Sequence, residues 1–171
     1  MIVSLEWLKD YTDVNVDIEK FCDGMIMSGS NLETCETVGA DMIKVVVGKI
    51  LKIEKHPDAD KLVVCQIDIG EEAPTQIVTG APNVFEGAYV PVALDNSSIP
   101  GPLHGQPKQE GGVKITKGEL RGVMSNGMLC SFSELGFEVK VVPVNQKDGI
   151  WILDGEYPVG ADFAEALELK D

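Results

Sequence analysis

Three cations, Lys114, Lys117 and Arg121, fall within eight residues, and four more, Lys49, Lys52, Lys55 and Lys61, bracket the sequence HPDAD. Cationic groups repeated along short stretches are what the phosphates of a polyanion need, because each contact releases a condensed counterion. Solvated lysines opposite an apolar core would look the same, and Lys49 and Lys52 cannot share one face of a regularly alternating strand. Aromatic side chains able to stack on splayed bases are scarce here, only Phe85, Tyr89 and Phe132. Contacts to shape and backbone are therefore favoured over reading of unstacked bases.

No other constellation carries chemistry. There is no GxSxG, Walker loop or HExxH, and no Cys, His and acidic set with a family signature. Asp58 and Asp60 could be drawn as an acid and a base, but within HPDADK they are turn formers. Cys22, Cys35, Cys65 and Cys130 lie 13, 30 and 65 residues apart, with two histidines in the whole chain. That spacing does not suit zinc, so reduced thiols are expected, Cys22 on the apolar face of a helix and Cys65 on that of a strand. No catalytic residue, metal or cofactor is expected in this stretch.

The charge of −14 looks hostile to nucleic acid until it is divided along the chain. Residues 44–121 hold nine Lys and Arg against ten Asp and Glu, a net of −1, which leaves −13 for the ends. The acidity is mostly peripheral, either a solubilising shell or the flank of a near-neutral centre that turns its lysines toward a polyanion. Apolar runs are only a few residues long, and MIVSLEWLKDY has no signal-peptide layout, so the expected location is the cytoplasm.

The elements that must position the cations follow from periodicity. Ser4 caps a short helix with Leu5, Trp7, Leu8 and Tyr11, and Asp17 caps a second with Ile18, Phe21, Cys22, Met25 and Ile26 at helical spacing, stopped by Gly29. An extended segment starts at Asn31. From Met42 the period becomes two: Ile43, Val45, Val47, Leu51 and Ile53 share a face, then Val63, Cys65, Ile67 and Ile69 after a turn at HPDAD. Short runs follow at QIVT, YVPVAL, GGVKI and GMLC between Gly, Pro and Asn clusters. Five or six strands in about 90 residues favour a small closed barrel.

Ile99 to Gly112, rich in Pro and Gly, reads as a long surface loop. Ser131 and Glu134 form a capping box for one helical turn, GIWIL reads as a strand, and Asp162 with Glu165 caps a last helix. Head and tail share an acidic, mixed texture. The expected class is mainly β with α+β flanks: a five-stranded barrel, residues 42–149, inserted into a small helix and strand domain formed by 1–41 plus 150–171.

The series VVVGKILKIEKHPDADKLVVCQIDIG, IVTGAPNV, VPVAL and LRGVMSNGMLCSFSELG closely resembles the tRNA-binding barrel of bacterial phenylalanyl-tRNA synthetase β subunits. Similar barrels occur in some methionyl-tRNA synthetases and in free-standing tRNA-binding proteins, which lack a head like SLEWLKDY. The resemblance covers essentially the whole chain and implies an oligonucleotide-binding (OB) fold. Two departures are Thr79, where many relatives have Cys, and the longer loop from Ile99 to Gly112.

It further implies a non-catalytic tRNA-binding region of a ligase that uses ATP and magnesium. Its partners would be tRNA, the α subunit and the remainder of the β subunit, where editing, a catalytic-like core and anticodon recognition reside. Lys55, Lys61, Lys114, Lys117 and Arg121 would meet tRNA phosphates. Ser125, Asn126 and Met128, in the SNGM turn that matches the family's SxGM motif, would shape the edge that meets RNA. The alternatives are a packing module within the synthetase, or a free-standing tRNA chaperone, which the added head and tail disfavour.

Overall fold

The computed structural model describes residues 3–35, 41–103, 106, 111–137 and 144–169. Two compact units result: Asp41–Leu167 is one, and the head belongs to the other.

In the head, Ser4 accepts the amide of Trp7 at the start of α1, Leu5–Lys9, and Asp17 accepts that of Lys20 at the start of α2, Ile18–Met27. These bonds satisfy amide donors that a helix start leaves open. Gly29, at φ 91°, ends α2, with the Ser30 amide returning to the Met25 carbonyl. Neither helix buries a residue. Asn31–Cys35 belongs to no helix or paired strand; the remainder of the expected extended segment lies outside the described residues.

The large unit is built on β1, Ile43–Lys55; β2, Val63–Asp68; β3, Thr75–Thr79; β4, Tyr89–Ile99; and β5, Val113–Ile115, hydrogen-bonded in the antiparallel order β3-β2-β1-β4-β5. A hairpin follows, β6, Gly118–Leu120, with β7, Val123–Ser125, and then β8, Gly127–Leu129, pairs with β4. The barrel closes where β3 meets the turn between β7 and β8. There the Asn126 amide donates to the Gln76 carbonyl (2.9 Å), and the Val78 amide to Ser125 Oγ (3.0 Å). This is the expected OB-type barrel of five strands, β3-β2-β1-β4-β8, with Ile50, Cys65, Ile67, Ile77, Val90 and Val92 in its interior.

The expected face of β1 needs correction. Val45 and Val47 are buried, but Ile43 and Leu51 are exposed, and Ile50 enters the core. Val46 and Ile50 share the face toward the barrel core, and Val45 and Val47 are buried on the other. The register shift between Ile50 and Lys52 is what brings Ile53 to the core, because one extra residue reverses every side chain beyond it.

The tail hydrogen-bonds along the barrel. Val47 donates to the Ala161 carbonyl (2.9 Å) and accepts from Gly160 (2.8 Å). Val47 and its ladder partner Pro91 thus turn their polar groups away from each other. Pro91 accepts the Cys130 amide, and the Cys130 carbonyl takes its hydrogen bond from Trp151, so a proline inside a central strand leaves no acceptor unpaired. GIWIL forms no regular strand. Asn83 takes the amide and carbonyl of Ile150, and Gln146 those of Ile152. Only isolated contacts remain, among them the bridge of Leu153 to Tyr89. Side-chain amides thus replace the neighbouring strand as backbone partner.

Asp162 accepts from Glu165 to start α3, Phe163–Ala166. Ser131 and Glu134 make their reciprocal box around a turn, closed by the Leu135 amide on the Ser131 carbonyl. Residues 104–105 and 107–110 of the Ile99 to Gly112 loop lie outside the described residues.

Candidate nucleic-acid interface

The sequence reading had no element for residues 118–125, and the structure places the β6–β7 hairpin there. Arg121 (φ 49°) and Gly122 (φ 82°) form its two-residue turn. Two successive left-handed residues match the right-handed twist of the flanking strands, and the glycine in LRGV was the available signal. Arg121 is thereby carried to an exposed tip.

One buried side chain ties that tip to the HPDAD turn. His56 is 5% exposed. Its Nδ1 accepts the Asp58 amide (3.0 Å), which assigns the ring proton to Nε2. Nε2 then donates to the Leu120 carbonyl (2.9 Å), 64 residues along the chain. Lys55, at the end of β1, and Lys61, at the end of the turn, flank this bond on one side and Arg121 follows it on the other; all three are exposed. Sequence reasoning missed His56, whose side chain brings these elements together.

The hairpin is rooted at its other end, where the Lys117 amide donates to Asp95 Oδ1 (2.8 Å). Lys114 is exposed on β5, opposite Ser98 of β4, a separate strand from the His56 cluster. The five cations therefore form two groups, Lys55, Lys61 and Arg121 near His56, and Lys114 and Lys117 near β4. Among the described residues none of the five enters an ion pair. Lys49 lies 5.1 Å from the centre of the Tyr89 ring, and Lys52 pairs with Glu54, which raises its pKa.

In the SNGM turn the three residues differ. Ser125 is 2% exposed; its hydroxyl accepts from Val78 and donates to the Gly127 carbonyl (2.8 Å), so it shapes the edge through the backbone. Gly127 is required, since a Cβ there would overlap the Ala93 carbonyl oxygen. Met128 is half-buried opposite Ala93, whereas Asn126 is exposed.

Of the aromatic candidates, Phe132 stacks on Trp151 with centroids 3.9 Å apart and is unavailable to bases. Phe85 is 54% exposed. Burial pushes the Cys65 thiol up to about 11 and that of Cys130 further still. Among the described residues no group of His, Cys, Asp and Glu could hold a metal ion, and no helix is long and apolar enough to cross a membrane.

A closed OB-type barrel with unpaired cations along its turns defines a module of the oligonucleotide-binding class. The family model "Putative tRNA binding domain" matches residues 45–162, and the chain belongs to that family. It is 46% identical over all 171 residues to the phenylalanine–tRNA ligase beta subunit of Clostridium acetobutylicum, and 43% identical over the same span to that of Staphylococcus haemolyticus. It covers 20% of each of those proteins, about a fifth of their length. A MetRS related protein from Pyrococcus horikoshii superimposes with a TM-score of 0.45 at 19% identity, over 88% of this chain and 97% of that one, a likeness too loose to add to the fold.

Proposed function

We propose that the barrel binds tRNA through phosphate contacts from Lys55, Lys61, Lys114, Lys117 and Arg121, as a non-catalytic region of a phenylalanine–tRNA ligase β subunit. The observation that carries this reading is the bond from His56 to Leu120, which collects cations from two distant segments without neutralising them. In this reading the parent enzyme is an ATP- and magnesium-dependent cytoplasmic ligase, partnered by its α subunit and the rest of the β subunit. The barrel sits within a host domain to which 1–41 and 150–171 contribute, the tail packing on the barrel at the same time.

Three to five phosphate contacts correspond to a slope of roughly −2 to −4 in log affinity against log salt. Filter binding of tRNA at two salt concentrations tests this, and an affinity indifferent to salt ends the phosphate reading. The net charge of −14 favours a second reading, a packing module whose lysines are merely solvated. Charge reversal at Lys61, Lys114, Lys117 and Arg121 separates the two, because a packing module would leave aminoacylation by the reconstituted enzyme unchanged.

A further inference from the structure

Midway along β4 the strand changes partners. Val92–Leu94 pair with β8, and Ser97–Ile99 pair with β5. On the other side, Lys44 alone spans the four residues between Ala93 and Ser98, because β1 pairs Ile43 with Ser98 and Val45 with Ala93. Lys44 (φ 57°) and Asn96 (φ 59°) are both left-handed, a conformation uncommon in residues with a Cβ and concentrated at bulges and functional sites.

The irregularity opens a cleft of about 400 Å³ lined by Lys44, Ile69, Glu71, Thr75, Leu94, Asp95 and Asn126. That is room for one nucleotide. Asp95 is held in place: Oδ1 accepts the Lys117 amide and Oδ2 the Asn96 side chain (3.1 Å), leaving each oxygen a free lone pair. Glu71 is exposed and has no hydrogen-bond partner among the described residues. Ile69 and Leu94 supply apolar walls where no aromatic ring is present.

We infer that this cleft takes one unstacked nucleobase of the bound RNA, and that guanine is the base its groups fit. A carboxylate accepts two adjacent N–H groups, and among the four bases only guanine presents such a pair, N1–H and N2–H, on its Watson–Crick edge. Its neighbouring O6 needs a donor, which the Lys44 ammonium and the Asn126 amide provide. Adenine, cytosine and uracil each offer that edge a single donor position, beside ring nitrogens or oxygens that repel a carboxylate. The inference rests on the tRNA-binding reading and adds a base preference to a surface otherwise suited to phosphates.

The test is an NMR titration of the ¹⁵N-labelled chain with guanosine, adenosine, cytidine and uridine 5′-monophosphates, run beside tRNA filter binding. The expected result is saturable shifts confined to Lys44, Thr75, Leu94 and the Asn126 side chain, with guanosine monophosphate about tenfold tighter than the others. In Glu71→Gln and Asn126→Ala that preference collapses toward unity. Equal shifts from all four nucleotides, no shifts, or shifts outside the cleft overturn the inference. If tRNA then still binds in a salt-dependent way, only the base site is lost; if tRNA does not bind either, the broader reading fails with it.

Discussion

Nε2 of His56 lies 2.9 Å from the carbonyl oxygen of Leu120, and Nδ1 of the same ring accepts the amide of Asp58. A single buried imidazole thereby serves two backbone groups, one in the HPDAD turn and one at the tip of the β6–β7 hairpin. No backbone ladder joins those elements directly, so the register of Arg121 against Lys55 and Lys61 depends on this side chain.

His56→Ala leaves the Leu120 carbonyl and the Asp58 amide without their partner. Each unsatisfied group costs on the order of 1–3 kcal/mol, so an overall loss of about 2–4 kcal/mol is expected in urea unfolding. Amide exchange should accelerate across residues 118–125 ahead of the barrel strands. Unchanged exchange in the hairpin would show that it is held by other contacts.

Gly127→Ala drives a methyl group into the Ala93 carbonyl, where only backbone can yield. Overpacking of this kind costs about 3 kcal/mol, a fall in Tm of roughly 6–12 °C for a chain of this size. Gly87→Ala is the contrasting variant: its φ of 91° is strained for alanine, but a Cβ there meets nothing within 4 Å, so the loss should be clearly smaller. Thermal unfolding followed by circular dichroism ranks the two.

Asn83→Ala removes both partners of Ile150, its amide and its carbonyl. About 2–3 kcal/mol should be lost, seen as a lower urea midpoint with an unchanged m-value. Gln146→Ala, acting on Ile152 in the same way, should produce a similar shift. The double variant should lose more than either alone.

The four thiols should separate in alkylation by iodoacetamide near pH 8. Thiolate is the reacting form; burial raises Cys65 to about 11 and Cys130 beyond that, so both remain protonated and shielded until the chain unfolds. Cys35 is exposed and should react first. Cys22 follows more slowly, its pKa raised by a hydrogen bond with Cys35 and by partial burial. Mass spectrometry of timed digests gives the order, and labelling of Cys130 before Cys35 would contradict the burial described.

Nearest-neighbour chemistry made much of this chain legible from its residues alone. Alternation marked β1 to β5 and β8, the oxygens of Ser4, Asp17 and Asp162 marked helix starts, and the run from HPDADK to SNGM marked the family. These signals are local, since period, cap and turn are each settled within a few residues. Tertiary structure decided the face switch after Ile50, the amides of Asn83 and Gln146 standing in for a strand, and the division of the cations into two groups by His56 and Asp95. Each depends on partners tens of residues apart, with geometry set only when the barrel closes. A buried histidine or a bulge opposite Lys44 leaves no periodic trace in sequence, because its energy comes from groups that folding alone brings within reach.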